Sequence, residues 1–189
     1  MKKNRIAAFF AVIFLLAASI FTGCDNTNNS SYGNNYIYMP QATVSGGVNL
    51  NYPVPSGYST ATYNFKIDSV NHIVNVNLGV LASGENAKMG YSVDVSVNND
   101  TTNQIISGGT IANAVLLPST IYTLPSSVTV PVGQYYTSFY LSINSTELKK
   151  MTGKIALLTV QLSNPTNYQL NTLLNKTVVV IDVNALKLP

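Results

Sequence analysis

Covalent chemistry in this chain centres on Cys24, the only cysteine in the sequence. It follows Phe21-Thr22-Gly23, and a basic start at 2–5 precedes a mostly apolar run at 6–21. Those three parts are typical of an export signal, whereas a helix that spans a bilayer needs about 20 apolar residues. We therefore predict cleavage after Gly23. The alternative is an uncleaved membrane anchor.

The stretch 21–24 resembles the lipobox of bacterial lipoproteins, in which the cysteine becomes the acylated first residue of the mature chain. This resemblance implies that residues 1–23 are a signal peptide and that Cys24 is the lipidation site. Each buried methylene contributes about 0.8 kcal/mol, so several acyl chains form a lasting tether. We expect a lipid-anchored protein of the bacterial cell envelope, at the surface or the periplasmic face of the outer membrane.

Hydrolytic catalysis usually needs a positioned base, most often histidine, and His72 is the only histidine here. It precedes the alternating residues Val74 and Val76 and is expected to share their face, so an ordinary strand-end role is favoured over a catalytic or metal-binding role. The sequence has no G-x-S-x-G motif for a nucleophilic serine. We therefore predict no catalytic residues and no enzyme.

Carboxylates and oxygen-rich segments are the remaining candidates for catalysis or metal binding. Asp94 and Asp182 alternate with apolar residues and are expected to face solvent, so the converging carboxylate pair of a glycoside hydrolase is the least favoured prediction. The run 98–103 offers oxygen ligands of the kind that calcium prefers, but it lacks the continuation of an EF-hand loop. A plain turn is favoured there. No metal and no cofactor are predicted.

Tyrosine is the conspicuous candidate for ligand recognition, with 12 tyrosines and no tryptophan in the sequence. A tyrosine combines a flat apolar ring with a hydroxyl group, which suits both the edge of a binding site and the wet margin of a sheet. Exposed strand tyrosines with good β-propensity are the alternative explanation, without any ligand. The candidate ligand-binding residues are Tyr52, Tyr58, Tyr63, Tyr136 and Tyr140.

The net charge of the full sequence is +3, and the cations at 2–5 account for all of this excess. The mature chain would keep equal numbers of lysines and carboxylates and no arginine. Nucleic-acid binding needs clustered cations that displace counterions from phosphates, so we predict no nucleic-acid partner. Asparagine, serine, threonine and tyrosine supply the polar surface, which favours neutral, hydroxyl-rich partners such as glycans.

The chain divides into three parts. The predicted signal peptide at 1–23 is followed by a polar stretch at 24–35 without periodicity, which predicts a lipidated flexible tether. From Tyr36 onward, apolar residues alternate with polar ones, as in half-buried antiparallel strands. The clearest alternating segments are 61–67, 74–80, 91–97, 128–130 and 135–143.

Two segments, 155–162 and 177–183, are continuously apolar and rich in β-branched residues, which predicts central strands. Residues 99–124 are expected to form an irregular crossover with short strands at 114–117 and 121–124. One helical turn is expected at 145–150, with Ser145 as its cap. The pattern predicts an all-β fold: an immunoglobulin-like antiparallel β-sandwich of about seven to nine strands, forming a single domain at 36–189.

Several stretches read in order carry a family resemblance: Tyr36-Ile37-Tyr38-Met39-Pro40, then 117–125, then Val128-Thr129-Val130-Pro131-Val132-Gly133, and finally 177–183. Together they resemble the Bacteroidetes lipoprotein domain known as domain of unknown function 1735. The resemblance implies an immunoglobulin-like, adhesin-like sandwich, often placed before a lectin-like or glycosidase module in surface lipoproteins. It supplies no catalytic residues. The sequence reaches Pro189 without a second module, so functions of such a module are not expected of these residues.

We therefore expect a non-catalytic envelope lipoprotein that acts as a binding or accessory module in glycan capture or surface adhesion. Its expected partners are the membrane, through acylated Cys24, and a glycan or an envelope protein. The alternative hypothesis is a structural spacer or adhesin-like subunit whose sheet edges pair with another protein. A glycoside hydrolase is the least favoured of the three.

Overall fold

The computed structural model describes residues 35–44, 47–56, 63–84 and 88–189. The predicted signal peptide, the lipidation site Cys24, all of the predicted tether except Asn35, and Tyr58 lie outside these residues. In the described part of the chain, no helix has both the length and the apolar character needed to cross a membrane. Strands are numbered below in chain order.

The first sheet contains six strands and follows the order β13-β1-β6-β11-β9, with β5 also paired to β6. All its ladders are antiparallel except the one between β1 and β13. The strand bounds are β1 Tyr36–Tyr38, β5 Phe65–Asp68, β6 Ile73–Ala82, β9 Tyr122–Thr123, β11 Tyr136–Asn144 and β13 Gln169–Leu170.

The second sheet also has six strands, in the order β10-β7-β12-β14-β4, with β8 also paired to β12. Its bounds are β4 Asn51–Val54, β7 Tyr91–Val97, β8 Ala114–Leu116, β10 Ser127–Val130, β12 Ile155–Ser163 and β14 Lys176–Asp182. The strands β2 (Thr43–Val44) and β3 (Gly47–Val48) pair only with each other. The prediction of β12 and β14 as central strands is confirmed, because each has neighbours on both sides.

The alternating residues pack where their periodicity places them. Val74, Val76, Leu78 and Val80 of β6 are fully buried, and so are Leu141 and Ile143 of β11. They join inward-facing residues of β7, β12 and β14 in one hydrophobic cluster. The predicted sandwich is confirmed: two sheets bury their apolar faces against each other, as the alternation of strand side chains requires. The two sheets together contain twelve described strands rather than the predicted seven to nine, and three of their pairings are parallel rather than antiparallel.

A nine-residue helix, α1 (Asn99–Ser107), corrects the prediction of a turn at 98–103 and an irregular crossover after it. Asn98 caps this helix, since its Oδ1 accepts a hydrogen bond of 2.9 Å from the backbone nitrogen of Thr101. Short 3-10 turns lie at Pro40–Ala42 and Ser119–Ile121. The predicted short strand near 114 is confirmed as β8, whereas only Tyr122–Thr123 of the second is a strand.

The short helix α2 (Ser145–Lys149) is present where one helical turn was predicted, but its cap is different. Asn144, rather than Ser145, precedes the helix, and its Oδ1 accepts from the backbone nitrogen of Glu147 at 3.0 Å. Ser145 is buried, and its backbone nitrogen donates to the carbonyl oxygen of His72 at 2.8 Å. The asparagine at the end of β11 therefore both ends the strand and starts the helix.

Strand β12 is buried on both of its faces. Leu158 faces the cluster between the sheets, whereas Leu157 and Thr159 point to the opposite side and are also fully inaccessible. Helix α1 packs against this outer side, where Thr102 Oγ1 lies 2.8 Å from Thr159 Oγ1 and accepts from the Thr159 backbone nitrogen at 3.0 Å. The apolar run is therefore continuous because both faces of the strand are buried, and helix α1 covers the outer face at Thr159.

Two glycines with left-handed backbones give a matched test of packing. Gly90 has φ +70°, and a Cβ there would lie 2.8 Å from the backbone nitrogen of Val132; Gly133 has φ +86° with open space around it. The left-handed backbone alone costs about 1–2 kcal/mol for a residue with a Cβ. We expect Gly133→Ala to lower the free energy of unfolding by that amount and Gly90→Ala to lower it more. Urea unfolding measures both, and equal losses would contradict the close approach.

Candidate functional site

The outer face of the first sheet carries most of the tyrosines singled out in the sequence. Strands β6 and β11 pair over nine residues, from Tyr136 opposite Leu81 to Asn144 opposite Ile73. Because side chains alternate, the residues of β11 that face outward are Tyr136, Ser138, Tyr140 and Ser142. This face therefore presents a row of polar side chains that includes two tyrosine rings.

A concavity of about 240 Å³ lies on this face, and we call it the central concavity. Two exposed tyrosines contribute to it: Tyr63 lies in the segment just before β5, and Tyr140 lies on β11. Two asparagines of β6 lie between β5 and β11. Tyr63 packs edge-on against Phe65 with ring centroids 5.7 Å apart. The residues that line the concavity are Tyr63, Phe65, Lys66, Asn75, Asn77 and Tyr140.

The two asparagines differ in their hydrogen bonding. Asn75 Oδ1 accepts from the hydroxyl of Ser142, which lies opposite it on β11, at 2.6 Å. Asn77 lies opposite Tyr140, and its Oδ1 is a buried acceptor without a hydrogen-bond partner in the described protein. Such an atom costs about 1–3 kcal/mol, so a buried amide left in this state calls for an explanation.

Tyr52 and Tyr136 surround the neighbouring part of β6, where neither β5 nor β1 pairs with the strand. Tyr52 belongs to the second sheet, but its hydroxyl donates to the carbonyl oxygen of Asn77 at 3.1 Å. The backbone nitrogen of Gly79 donates to Gln41 Oε1 at 3.2 Å. Side chains therefore satisfy backbone groups that would otherwise lie unpaired at this gap.

The aromatic ring of Tyr136 packs closely against β6. A Cβ on Gly79 would lie 2.9 Å from Cε2 of Tyr136, so the absence of a side chain there lets the Tyr136 ring approach the strand. Burial raises the pKa of Tyr52, and the nearby Tyr136 adds to this effect while the side chain of Asn64 opposes it. The Tyr52 hydroxyl thus remains a protonated donor at neutral pH.

The structure brings only some of the predicted site residues together. Tyr63 and Tyr140 share the central concavity, and Tyr136 lies on the same face about 13 Å from Tyr140 along the strand. Tyr52 lines a different depression beside Gln41, and its hydroxyl donates to the backbone of β6. The five predicted tyrosines therefore do not form one site: two share the concavity, Tyr136 lies elsewhere on the same face, and Tyr52 reaches β6 with its hydroxyl. Tyr58 is outside the described residues.

A second concavity, of about 300 Å³, lies farther along β11, at the end of the strand near α2. It contains hydroxyl and amide groups from several elements, together with a half-buried Tyr122 whose pKa is raised by burial. Polar residues that line it are Asn71, Thr120, Thr123, Ser142 and Asn144. Lys66 is the one charged residue among the described residues that line either concavity.

The residues considered for catalysis do not assemble. His72 was expected on the buried face of β6, but it is exposed in the turn before the strand, with φ +56°. Asp94 is exposed and accepts from Asn164 Nδ2 at 2.9 Å, while Asp182 accepts from the backbone nitrogens of the turn that follows β14. The described residues contain no group of three or more potential metal ligands from His, Cys, Asp and Glu.

Sequence reasoning treated Asn75 and Asn77 only as wet positions on a strand and gave Lys66 no role. A signal was present, because asparagine is depleted in strands and here it occupies two successive outward positions between valines and a leucine. Lys66 lies opposite Asn75 in the ladder between β5 and β6. That pairing depends on the fold and could not be read from the spacing.

Comparison with known proteins assigns the chain to a family. A family model described as an N-terminal domain matches residues 32–169. The chain belongs to this family. A multidomain protein from Bacteroides ovatus that includes domain of unknown function 1735 has a similar structure, with a TM-score of 0.50, 15% identity, and coverage of 77% of this chain and 44% of that one. The predicted family resemblance is confirmed.

A second similar structure is that of a protein described as a candidate carbohydrate-binding protein, also from Bacteroides ovatus. Its TM-score is 0.53 at 12% identity, and the match covers 77% of this chain and 36% of that one. At such identities the likeness shows the fold alone. The chain thus spans less than half the length of these two proteins, and no curated protein matches it by sequence.

Proposed function

We propose that this protein is a lipoprotein of the bacterial envelope, anchored through acylated Cys24, that binds neutral glycan in the central concavity. The signal peptide at 1–23 and the tether at 24–35 belong to this proposal. The observation that carries the binding role is that Tyr63, in the segment just before β5, and Tyr140, on β11, share one concavity with the amides of Asn75 and Asn77. The spacer hypothesis stays a prediction.

The chemistry of a sugar matches this arrangement. A pyranose ring has an apolar face of C–H groups and a rim of hydroxyls, so it can stack on a tyrosine while its rim exchanges hydrogen bonds with amides. Binding sites typically combine such an apolar wall with a few oriented polar groups.

The charge distribution favours an uncharged ligand. Among the described residues that line the concavity, Lys66 is the one charged residue, and its exposed ammonium group can donate hydrogen bonds. The other polar groups of the lining are amides and phenols. Sulfated or carboxylated glycans are usually held by several cations that act together, often by the bidentate groups of arginine. The only arginine of the sequence is Arg5, inside the proposed signal peptide.

The comparisons support the binding role at the level of the fold. One protein with this sandwich is described as a candidate carbohydrate binder, and the family model identifies the domain as one that stands at the N-terminus of longer proteins. Binding without turnover fits the absence of an assembled catalytic group among the described residues. The support for an envelope location comes from the sequence around Cys24.

Binding of the mature protein to an array of neutral and acidic oligosaccharides tests the proposal. We expect binding to neutral glycans, and we expect Tyr140→Ala to weaken it about thirtyfold, the loss of about 2 kcal/mol that is typical when a central aromatic contact is removed. Titration calorimetry with a glycan found on the array measures this change.

Tyr135→Ala is the matched control, because Tyr135 is similarly exposed but lies outside the concavity. Its affinity should equal that of the unaltered protein. A mature protein that binds no glycan, or equal losses in the two variants, would contradict the proposed site. Urea unfolding of both variants confirms that each one remains folded.

A further inference from the structure

The described chain begins at one end of the sandwich, where hydrogen bonds hold its first residues. The carbonyl oxygen of Asn35 accepts from the backbone nitrogen of Gln169 at 3.1 Å, and Gly84 lies against the Asn35 side chain. The next residue, Tyr36, donates its backbone nitrogen to Ser83 Oγ at 3.1 Å. The chain is thus held firmly where it enters the fold, and we call this region the Asn35 end.

Two loops, 88–90 and 131–135, close the same end of the molecule. The backbone nitrogen of Gly133 donates to the carbonyl oxygen of Lys88 at 2.9 Å, which ties one loop to the other. The carbonyl oxygen of Tyr135 accepts from the backbone nitrogen of Ala82 at 2.8 Å, beside the residues that hold the start of the chain. The loops and the start of the chain therefore form one continuous surface.

This surface is apolar where the loops protrude. The exposed fractions are 62% for Met89, 79% for Val132 and 55% for Tyr135. Lys88, next to Met89, is exposed as well. Single exposed apolar residues are ordinary, but several gathered on joined loops mark an interaction surface.

We propose that the Asn35 end lies against the lipid bilayer, with Met89 and Val132 in contact with the headgroup and acyl boundary. This inference rests on the proposed acylation of Cys24. Only 11 residue steps separate Cys24 from Asn35, so even a fully extended connection keeps the two within about 40 Å. An apolar surface close to an anchored chain terminus meets lipid at high local concentration.

The side chains suit that environment. Tyrosine is enriched at membrane interfaces, where its ring lies among apolar groups and its hydroxyl reaches water, and lysine can extend toward lipid phosphates. Methionine and valine are fully apolar and gain free energy when their surface leaves water. The other end of β6, with the exposed Val70 in the turn before it, lies about 30 Å away along the ten-residue strand. That distance provides an internal control.

The absence of tryptophan from the sequence makes the test specific. Val132→Trp and Val70→Trp each place a single tryptophan at an exposed valine, one at each end of the sandwich. The full chain is produced in a bacterial host that acylates lipoproteins and is reconstituted into vesicles of phosphatidylethanolamine and phosphatidylglycerol that carry brominated acyl chains. Fluorescence emission and quenching are then measured, and co-flotation with the vesicles reports anchoring separately.

We expect both variants to float with the vesicles, with a blue-shifted and bromine-quenched emission only for Val132→Trp. Met89→Trp should behave in the same way and covers the case in which Val132→Trp does not fold. Floating protein whose tryptophan at 132 and at 89 remains open to acrylamide would overturn the proposal while the anchor stands. Shielding from acrylamide without bromine quenching would point to a protein partner and overturn it too. Protein that does not float removes the anchor and this inference together.

Discussion

Replacement of Cys24 by serine is expected to move the protein completely from the membrane fraction to the soluble fraction. Serine has no thiol to form the thioether of a bacterial lipoprotein, so the acyl chains proposed to hold the protein would be missing. Because each buried methylene contributes about 0.8 kcal/mol, loss of several chains removes far more binding free energy than any other single substitution considered for this protein. Cell fractionation and the intact mass of the mature chain measure the effect.

Asn26→Ser is the matched control, since it introduces the same side chain two residues later and leaves the cysteine in place. It should remain with the membrane and keep the mass of an acylated chain that begins at residue 24. A Cys24→Ser protein that stays in the membrane fraction would contradict the lipid anchor. So would native protein with an unprocessed N-terminus, and the proposed envelope location would then be lost with the anchor.

Leu157→Ala is expected to lower the free energy of unfolding by about 3 kcal/mol, as large-to-small substitutions in a closed core do. Leu157 points away from the cluster between the two sheets, so in an uncovered sandwich it would face water and its truncation would cost little. Here the side chain is fully buried. Leu158→Ala on the opposite face should have a comparable effect, and urea unfolding at equilibrium measures both.

Leu173→Ala supplies the control, because Leu173 is a leucine of the same size that is exposed. We expect its stability to change by less than about 0.5 kcal/mol, as at most surface positions. If Leu157→Ala were as mild as Leu173→Ala, the outer face of β12 would not be closed at Leu157 in solution. The three leucines together therefore test which faces of the second sheet are closed.

The strands were predictable because alternation of apolar and polar residues depends only on local geometry. The residues 74–80 and 91–97 lie on β6 and β7 with the expected faces inward. The short parallel pairings of β4 with β14 and of β8 with β12 were not predictable. Strands of three or four residues carry little pattern, and their partners are chosen by distant parts of the chain.

Helix α1 was missed because its sequence contains few apolar residues. Ile105 and Ile106 are its only large apolar residues, and asparagine, aspartate and threonine favour turns and caps when they are considered alone. The packing of Thr102 on Thr159 stabilises the helix, and that contact joins residues 57 positions apart. The cap Asn98 and the pair Gly108-Gly109 were the local signals available.

The site was predicted in part. Tyrosine abundance directed attention to Tyr63 and Tyr140, and the structure places these two in one concavity. Their polar partners were not identified, since the register between β6 and β11 decides that Asn77 faces Tyr140. Residue type therefore identified the aromatic groups, while the ladder of backbone hydrogen bonds determined which amides accompany them.

The nine-residue ladder between β6 and β11 also bears on the thermodynamics of recognition. Most groups of the central concavity are side chains of paired strands, so binding of the proposed glycan would cost little backbone entropy. Such a preorganised site would discriminate between sugars by shape. The strands could not rearrange to restore the hydrogen bonds of a sugar whose hydroxyls have a different orientation. Selectivity among epimeric sugars should consequently exceed what the modest depth of the surface would suggest.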